Sequence, residues 1–344
     1  MSTATSALAA APTTLTRADA VRFLQRATLG PRPADVTHLL DIGIDAWFAE
    51  QFTRTMPASH LDRRLAHGNA INAIWEGLLA GPDQLRKRVG YALSQIFVAA
   101  HPAVSNLRIC AYADLLEAHA FGTYRALLEH VTRSQAMGQY LTYERNRAAD
   151  ARRGSVPDEN YAREVMQLFS IGLWELRRNG SRRTDGAGEP IPTYDTEDIL
   201  GLARVFTGFE NPRADDNPRI YAQPMTSDGE FADRWHERGE KRFLGALIPA
   251  SETRTLDESL AVALDTLDAH PNTAPFISHQ LIQRLVTSNP SPGYVERVVS
   301  VWEDDGSPAH VRGNLAAVVR AILLDEEAWR PNPPAAQGKL REPA

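Results

Sequence analysis

The sequence predicts an all-α fold, a multi-helix orthogonal bundle or array with one irregular insertion that carries at most a small β-hairpin. Three observations lead there. Apolar residues recur at helical spacing from Arg17 onward, Gly or Pro closes each periodic segment, and the one long break in the pattern falls between Asn211 and Pro249. The 344 residues, 43% hydrophobic and 23% charged, suffice for about two domains or one large helical body, and they exclude wholesale disorder. The expected division is a tail at 1–14, an N-terminal helical region at 15–150, a C-terminal helical region at 151–330 with the insertion at 211–249, and a tail at 331–344.

Val21, Leu24 and Gln25 with Thr28, then Val36, Leu39 and Leu40, then Trp47, Phe48 and Phe52 mark the opening short helices. Gly30-Pro31-Arg32-Pro33 is a turn into the second of them, because Pro fits the first helical positions and not the interior. Longer helices are expected from about Asp83 to Ala100 and from about Leu107 to Val131. Polar stretches at 148–157 and 179–192 bracket a strongly apolar helix from about Asn160 to Leu176. The insertion, with Pro212, Pro218, Pro224, Gly229 and Gly239, is the place for a hairpin or a long functional loop. Helices resume at about Leu256 to Ala269, Thr273 to Thr287, Pro292 to Glu303 and Val311 to Asp325.

Thirty-seven Lys and Arg against 43 Asp and Glu give a formal charge of −6, which offers no global attraction to nucleic acid or an anionic membrane. The single cysteine, Cys110, excludes an internal disulfide and a thiolate-rich metal site. No apolar run approaches the roughly 20 residues of a membrane span. Residues 1–14 lack the charged start and apolar stretch of a signal peptide, so they are either a tail or the remnant of a trimmed export signal. Nucleophile-elbow and phosphate-loop motifs are absent. His236-Glu237-Arg238-Gly239-Glu240 starts like a zinc-protease helix, but Glu240 stands where the second His belongs. No cofactor is expected.

The informative segment runs from Pro157 to Phe169. At about 100° per residue Asn160, Arg163, Glu164 and Gln167 share one narrow arc, while Val165, Met166, Leu168, Phe169, Leu173 and Trp174 cover most of the remainder. A polar stripe on a buried helix needs partners, a cleft or a ligand, since burying such groups unpaired costs several kcal/mol. Glu159 lies one turn before Arg163 at ion-pair spacing. An internal Arg–carboxylate clamp between helices and a ligand cleft both remain open. Asp195 or Thr196 caps the next helix, with Glu197 and Asp198 at its positive end and Gly208 at its exit. Arg204, set among Leu202, Ala203, Val205 and Phe206, needs a carboxylate or an anion, and Glu164 is the preferred partner. Tyr194 and His236 complete the set of substrate-binding candidates.

These segments resemble a bacterial family catalogued as domain of unknown function 1800. The resemblance rests on Arg22 to Gly30, on Glu159 to Leu168, on Thr193-Tyr194-Asp195 with Ala203 to Gly208, and on Gly338 to Pro343. It implies a periplasmic or extracellular setting, or a cytoplasmic one if no signal was removed, and it carries no reaction. Many relatives have a His where Phe169 stands, and the family pattern runs on past Pro343, so the chain looks like a C-terminally shortened member.

Two functions follow as expectations. In the first, the protein is a hydrolase or lyase on an extracytoplasmic polymer or peptide, with Glu164 and Glu159 as acid and base, Arg163 and Arg204 holding an anionic group, and Asn160, Gln167 and Tyr194 orienting it. In the second, it is a non-catalytic binding or assembly protein whose Arg–Glu network is structural and whose insertion docks a secreted partner. A metal- or haem-bound form is a third reading that elemental analysis and an absorption spectrum would settle.

Overall fold

The computed structural model describes residues 14–56, 58–213, 217–330, 334, 338 and 339. The expected tails at 1–14 and 331–344, and Leu340 to Pro343 of the C-terminal motif, lie outside the described residues except for Thr14, Pro334, Gly338 and Lys339. The first half holds α1 (Arg17–Ala27), α2 (Pro33–Thr53), α3 (His60–His67), α4 (Ala70–Ala80), α5 (Gln84–Ser94), α6 (Asn106–Ala118), α7 (Tyr124–Thr132) and α8 (Gln135–Tyr140). The second half holds α9 (Asn160–Gln167), α10 (Thr196–Ala203), α11 (Glu230–Trp235), α12 (Leu256–Ala269), α13 (Thr273–Leu285), α14 (Pro292–Glu303), α15 (Leu315–Leu324) and α16 (Glu326–Trp329). The fold is all-α, and the sheet among the described residues is the two-stranded hairpin of β1 (Lys241–Phe243) and β2 (Ala246–Ile248) inside the insertion. No described helix is long and apolar enough to cross a membrane.

Helix α5 is the hub. It packs on α1, α2, α4, α6 and α13, and eight of its eleven residues are buried. A helix enclosed on nearly every side would ordinarily be apolar. This one carries Lys87 and Arg88, each 1% exposed. Arg88 donates to the carbonyls of Arg26 at 3.3 Å and Arg284 at 2.6 Å, the last turns of α1 and α13, where helix carbonyls lack partners of their own. One aromatic cluster joins the two ends of the chain, with the Phe23 ring 5.2 Å from Trp47, 5.6 Å from Phe48 and stacked on Trp329 at 5.9 Å.

Three helices expected to be long are shorter. The one expected from Asp83 to Ala100 stops at Ser94, as α5. The one expected from Leu107 to Val131 breaks into α6 and α7, because Thr123 turns its hydroxyl onto the Ala126 amide and starts a new helix. The one expected from Asn160 to Leu176 stops at Gln167. The amides of Ile171 and Gly172 both bond the Met166 carbonyl, and Gly172 takes φ +71° with the Phe276 ring pressed where a Cβ would lie. Beyond it the chain extends, pairing Trp174 with Pro192, Leu176 with Arg182 and Thr184 with Pro190. Leu168 and Leu173, expected on a buried face, are 40% and 47% exposed.

Asp195 caps α10 through a reciprocal box with Asp198, and the second Asp198 oxygen accepts the Leu244 amide at 2.6 Å. That bond fixes the tip of the hairpin, where Leu244 and Gly245 both take positive φ as a two-residue turn demands. The hairpin lies so close on α10 that a Cβ built on Gly201 would sit 1.7 Å from the Arg242 carbonyl oxygen. Gly201→Ala is therefore expected to push β1 off α10 and cost about 1–3 kcal/mol, read as a lowered midpoint in thermal or urea denaturation.

Candidate functional site

Asp158 sets the start of α9. Its amide donates to Asn146 Oδ1 at 2.8 Å, and its carboxylate accepts the Asn160 amide and the Thr142 hydroxyl, each at 2.8 Å. The inward face of α9 is Tyr161, Ala162, Val165 and Met166. Tyr161 stacks on Tyr143 at 4.1 Å and shares a 2.7 Å hydrogen bond with Thr132, so the helix cannot roll about its axis without breaking a buried bond.

With that face fixed, the polar arc is held at the surface. Asn160, Arg163, Glu164 and Gln167 are all half-buried. Arg163 turns along the helix to Glu159, Nη2 to Oε1 at 2.5 Å, and both side chains are 41% exposed. Glu164 is different. Its Oε2 is screened from water and accepts no hydrogen bond, and burial raises its carboxyl above the usual range against the opposing charge of Arg163. The Tyr194 hydroxyl reaches Gln167 Oε1 at 3.5 Å, and burial raises this phenol as well, with Arg163 and Glu164 both acting on it. The structure thus gathers Glu159, Asn160, Arg163, Glu164, Gln167 and Tyr194 on one face.

Arg204 and His236 go elsewhere. Helix α10 ends at Ala203, so Arg204 stands on the turn beyond it, exposed, and donates to the Glu240 carbonyl at 2.9 Å instead of to Glu164. His236, expected on a loop that meets substrate, is 4% exposed. Its Nδ1 lies 2.9 Å from the Thr207 carbonyl and its Nε2 3.0 Å from the Ser259 hydroxyl, an arrangement that fits a neutral ring donating from Nδ1. Burial pushes this imidazole down to about 4.

Two open clefts lie on the approach to the start of α9, and no residue of the arc lines either of them. The larger, about 720 Å³, lies along the insertion between Glu210, Arg213, Asp228 and Arg234. The smaller, about 400 Å³, shares Glu144, Arg145 and Trp235 with it and is lined by Thr142 and Asn146, the two residues that hold Asp158 at the start of α9. Arginines recur along both, with Arg147 and Arg234 lying 4.5 and 5.0 Å from the Trp235 ring centre.

Sequence reasoning missed a second polar centre. His60, the first residue of α3, is fully buried, with Nε2 2.7 Å from Glu117 Oε1 and Nδ1 3.3 Å from the Ala73 carbonyl. Lys87 Nζ is 2.5 Å from Glu117 Oε2, and Asp114 accepts the amides of His60 at 2.6 Å and Leu61 at 3.0 Å. Burial alone would lower His60, yet the hydrogen bond and charge of Glu117 outweigh it and the imidazole is raised; Glu117 is correspondingly lowered. His60, Asp114 and Glu117 offer one imidazole and two carboxylate ligand atoms within 4.8 Å of one another, the set among the described residues that could hold a metal ion. Beside it is a cavity of about 230 Å³ walled by Ile74, Trp75, Leu78, Tyr91 and Leu116, with His60 and Glu117 at its polar end. The available signal was Arg86-Lys87-Arg88 between Leu85 and Val89, three consecutive cations of which one helix face cannot keep all in water.

The sequence profile of one family, described as Protein of unknown function (DUF1800), matches residues 22–344. No curated protein and no solved structure matches the chain.

Two outcomes follow from the geometry. Glu164→Gln keeps the shape and removes a desolvated charge without a hydrogen-bonded partner, so it is expected to raise stability by about 0.5–1 kcal/mol, whereas Arg163→Ala changes it by less than about 1 kcal/mol because its ion pair is half-exposed. Chemical denaturation at neutral pH measures both. His236 supplies the pH dependence. Its folded value of about 4 lies below the ordinary 6.5, so below 6.5 the unfolded chain takes up a proton that the folded chain refuses. Its contribution is full above 6.5 and is lost as the pH falls from there through about 4, with a slope of up to about 1.4 kcal/mol per pH unit that His236→Asn abolishes.

Proposed function

The chain belongs to the DUF1800 family, and for this member we propose an acid–base enzyme, a hydrolase or lyase, that receives an anionic polymer or peptide from the side of the smaller cleft, where Arg145, Arg147 and Arg153 outnumber Glu144 and Asp150, and acts on it at the α9 arc. One observation carries the reading: two carboxyls on one helix have opposite surroundings. Glu159 is ion-paired with Arg163 and half in water, while Glu164 has a screened oxygen, no hydrogen-bond partner and a raised pKa. Acid–base chemistry needs that asymmetry, one group holding a proton where the other does not. Glu164, whose burial favours the protonated form more than in an ordinary carboxyl, gives a proton to the departing oxygen or nitrogen. Glu159, paired with Arg163, takes one from the attacking water in hydrolysis, or from the carbon beside the breaking bond in elimination, so one proton enters and one leaves in each turnover. Arg163 holds the substrate's anionic group, and Asn160, Gln167 and Tyr194 orient it. Arg204, turned to Glu240, acts only if substrate draws it away from that carbonyl.

A second reading, a non-catalytic binding protein, draws on the cleft of about 720 Å³ at the insertion, which suits a docked chain as well as a substrate. Incubation with peptidoglycan, alginate and an acidic peptide library, with release of reducing ends, unsaturated products or new amino termini as readout, separates the two. The enzyme reading expects turnover that Glu164→Gln lowers by about 100-fold or more while the exposed control Glu76→Gln leaves it unchanged. Turnover indifferent to Glu164→Gln removes the assignment, and saturable binding without turnover replaces it with the second reading.

A further inference from the structure

We propose that His60, Asp114 and Glu117 form a site for one divalent first-row cation of the Zn2+ type, at the polar end of the cavity between α4, α5 and α6 and independent of the α9 arc. The donor set comes first. One imidazole nitrogen and two carboxylates lie within 4.8 Å of one another, and Asp114 and Glu117, three residues apart, project from one side of α6 toward the first turn of α3. A nitrogen with two anionic oxygens suits Zn2+, and leaves room in its tetrahedral shell for one further ligand. The cavity of about 230 Å³ gives that position an approach, because His60 and Glu117 are both on its wall.

A second observation points the same way. Asp83 is 0% exposed, yet neither of its carboxylate oxygens has a hydrogen-bond partner. Its nearest cation is Lys87 Nζ at 3.8 Å, which lies against Glu117 at 2.5 Å instead. A fully buried carboxylate left without hydrogen bonds costs free energy unless some state of the protein uses it. Metal entry is such a state. The ion takes the place of the proton between His60 Nε2 and Glu117 Oε1, Lys87 is released from Glu117, and Asp83 stands one short swing away to receive the ammonium. Both Glu117 and Asp83 then have a cation, whereas without the metal Lys87 holds the Glu117 oxygen that faces away from His60. The packing there is close, since a Cβ at Gly81 would lie 2.4 Å from Asp83 Oδ1 and 3.3 Å from Lys87 Cε, and one at Gly77 or Gly90 would lie 2.4 Å from His60 Nδ1 or 2.6 Å from Glu117 Cγ, so Lys87 already lies beside Asp83 and needs only the short move from Glu117.

The test uses the full chain, stripped with chelator and titrated with ZnCl2 by calorimetry, with Co2+ absorption and zinc-edge X-ray absorption on the loaded protein. One equivalent is expected, with release of protons, a melting temperature that rises with Zn2+, and a zinc shell of one imidazole and oxygens. His60→Gln and Asp114→Asn are each expected to weaken binding by at least about 10-fold. Lys87→Met, which removes the competing ammonium, is expected to tighten it. Should either ligand variant fail to fold, the spectrum of the wild-type complex still decides, because exposed histidines give neither a single stoichiometric site nor a gain in stability. Absence of stoichiometric binding up to about 1 mM Zn2+, or a zinc shell without imidazole, overturns the proposal.

Discussion

Two adjacent cations buried on one helix constrain this molecule more than any other feature. Lys87 and Arg88 point from α5 in different directions into an interior that would reject them singly. Arg88 closes the C-terminal turns of α1 and α13, one from each half of the chain, and Arg284 of α13 returns the favour by donating to the Gln95 carbonyl at the end of α5. Lys87 closes on Glu117 and through it on His60. Neither cation tolerates a shift of register, because moving α5 by one residue would leave a guanidinium or an ammonium unpaired in the core. Hydrophobic contact alone would allow α5 to slide; the charges do not.

The same constraint separates the two polar regions of the protein. Around α5 most polar atoms are matched, and Asp83, with both carboxylate oxygens unpartnered, stands out beside the single unpartnered Nε atoms of Arg86 and Arg284. At α9 the helix is fixed by Tyr161 and its aromatic neighbours on the inside, which leaves the outer arc free to be only partly matched. Arg163 satisfies itself with Glu159, a local pair that asks nothing of the rest of the fold, and Glu164 is left with a screened oxygen. A rigid inner face beneath an incompletely satisfied outer face is what substrate chemistry requires, since positioning groups must be held while reacting groups remain available.

Local grammar was legible and tertiary pairing was not. Helix starts were expected at about Leu256 and Pro292 and a cap at Asp195 or Thr196, and α12, α14 and α10 begin there, capped by Thr255, Ser291 and Asp195. The polar arc was legible too, because it depends only on angle along one helix. Leu173, Trp174 and Leu176 misled, since apolar residues after a glycine stop serve an extended arm as readily as another helical turn. Arg204 misled for a related reason: its apolar neighbours imply burial only while the helix continues, and α10 ends one residue earlier. His236 is buried by Ser259 of α12, and His60 meets a carboxylate 57 residues away. No spacing rule reaches that far.

Glycine ties the buried charges to the packing of the helices around them. A Cβ on Gly77 would lie 2.4 Å from His60 Nδ1, one on Gly81 2.4 Å from Asp83 Oδ1, and one on Gly90 2.6 Å from Glu117 Cγ. Three polar side chains thus each face a position without a side chain, and two of those positions are inside helices, where glycine costs roughly 1 kcal/mol relative to alanine. That cost is repaid in distance. With no Cβ at Gly90, α5 and α6 approach closely enough for Glu117 to touch Lys87 and His60 at once; with one, Glu117 would be displaced, and its two partners would lose their shared acceptor together. The cluster and the close helix packing are therefore a single feature, and neither would persist in the chain without the other.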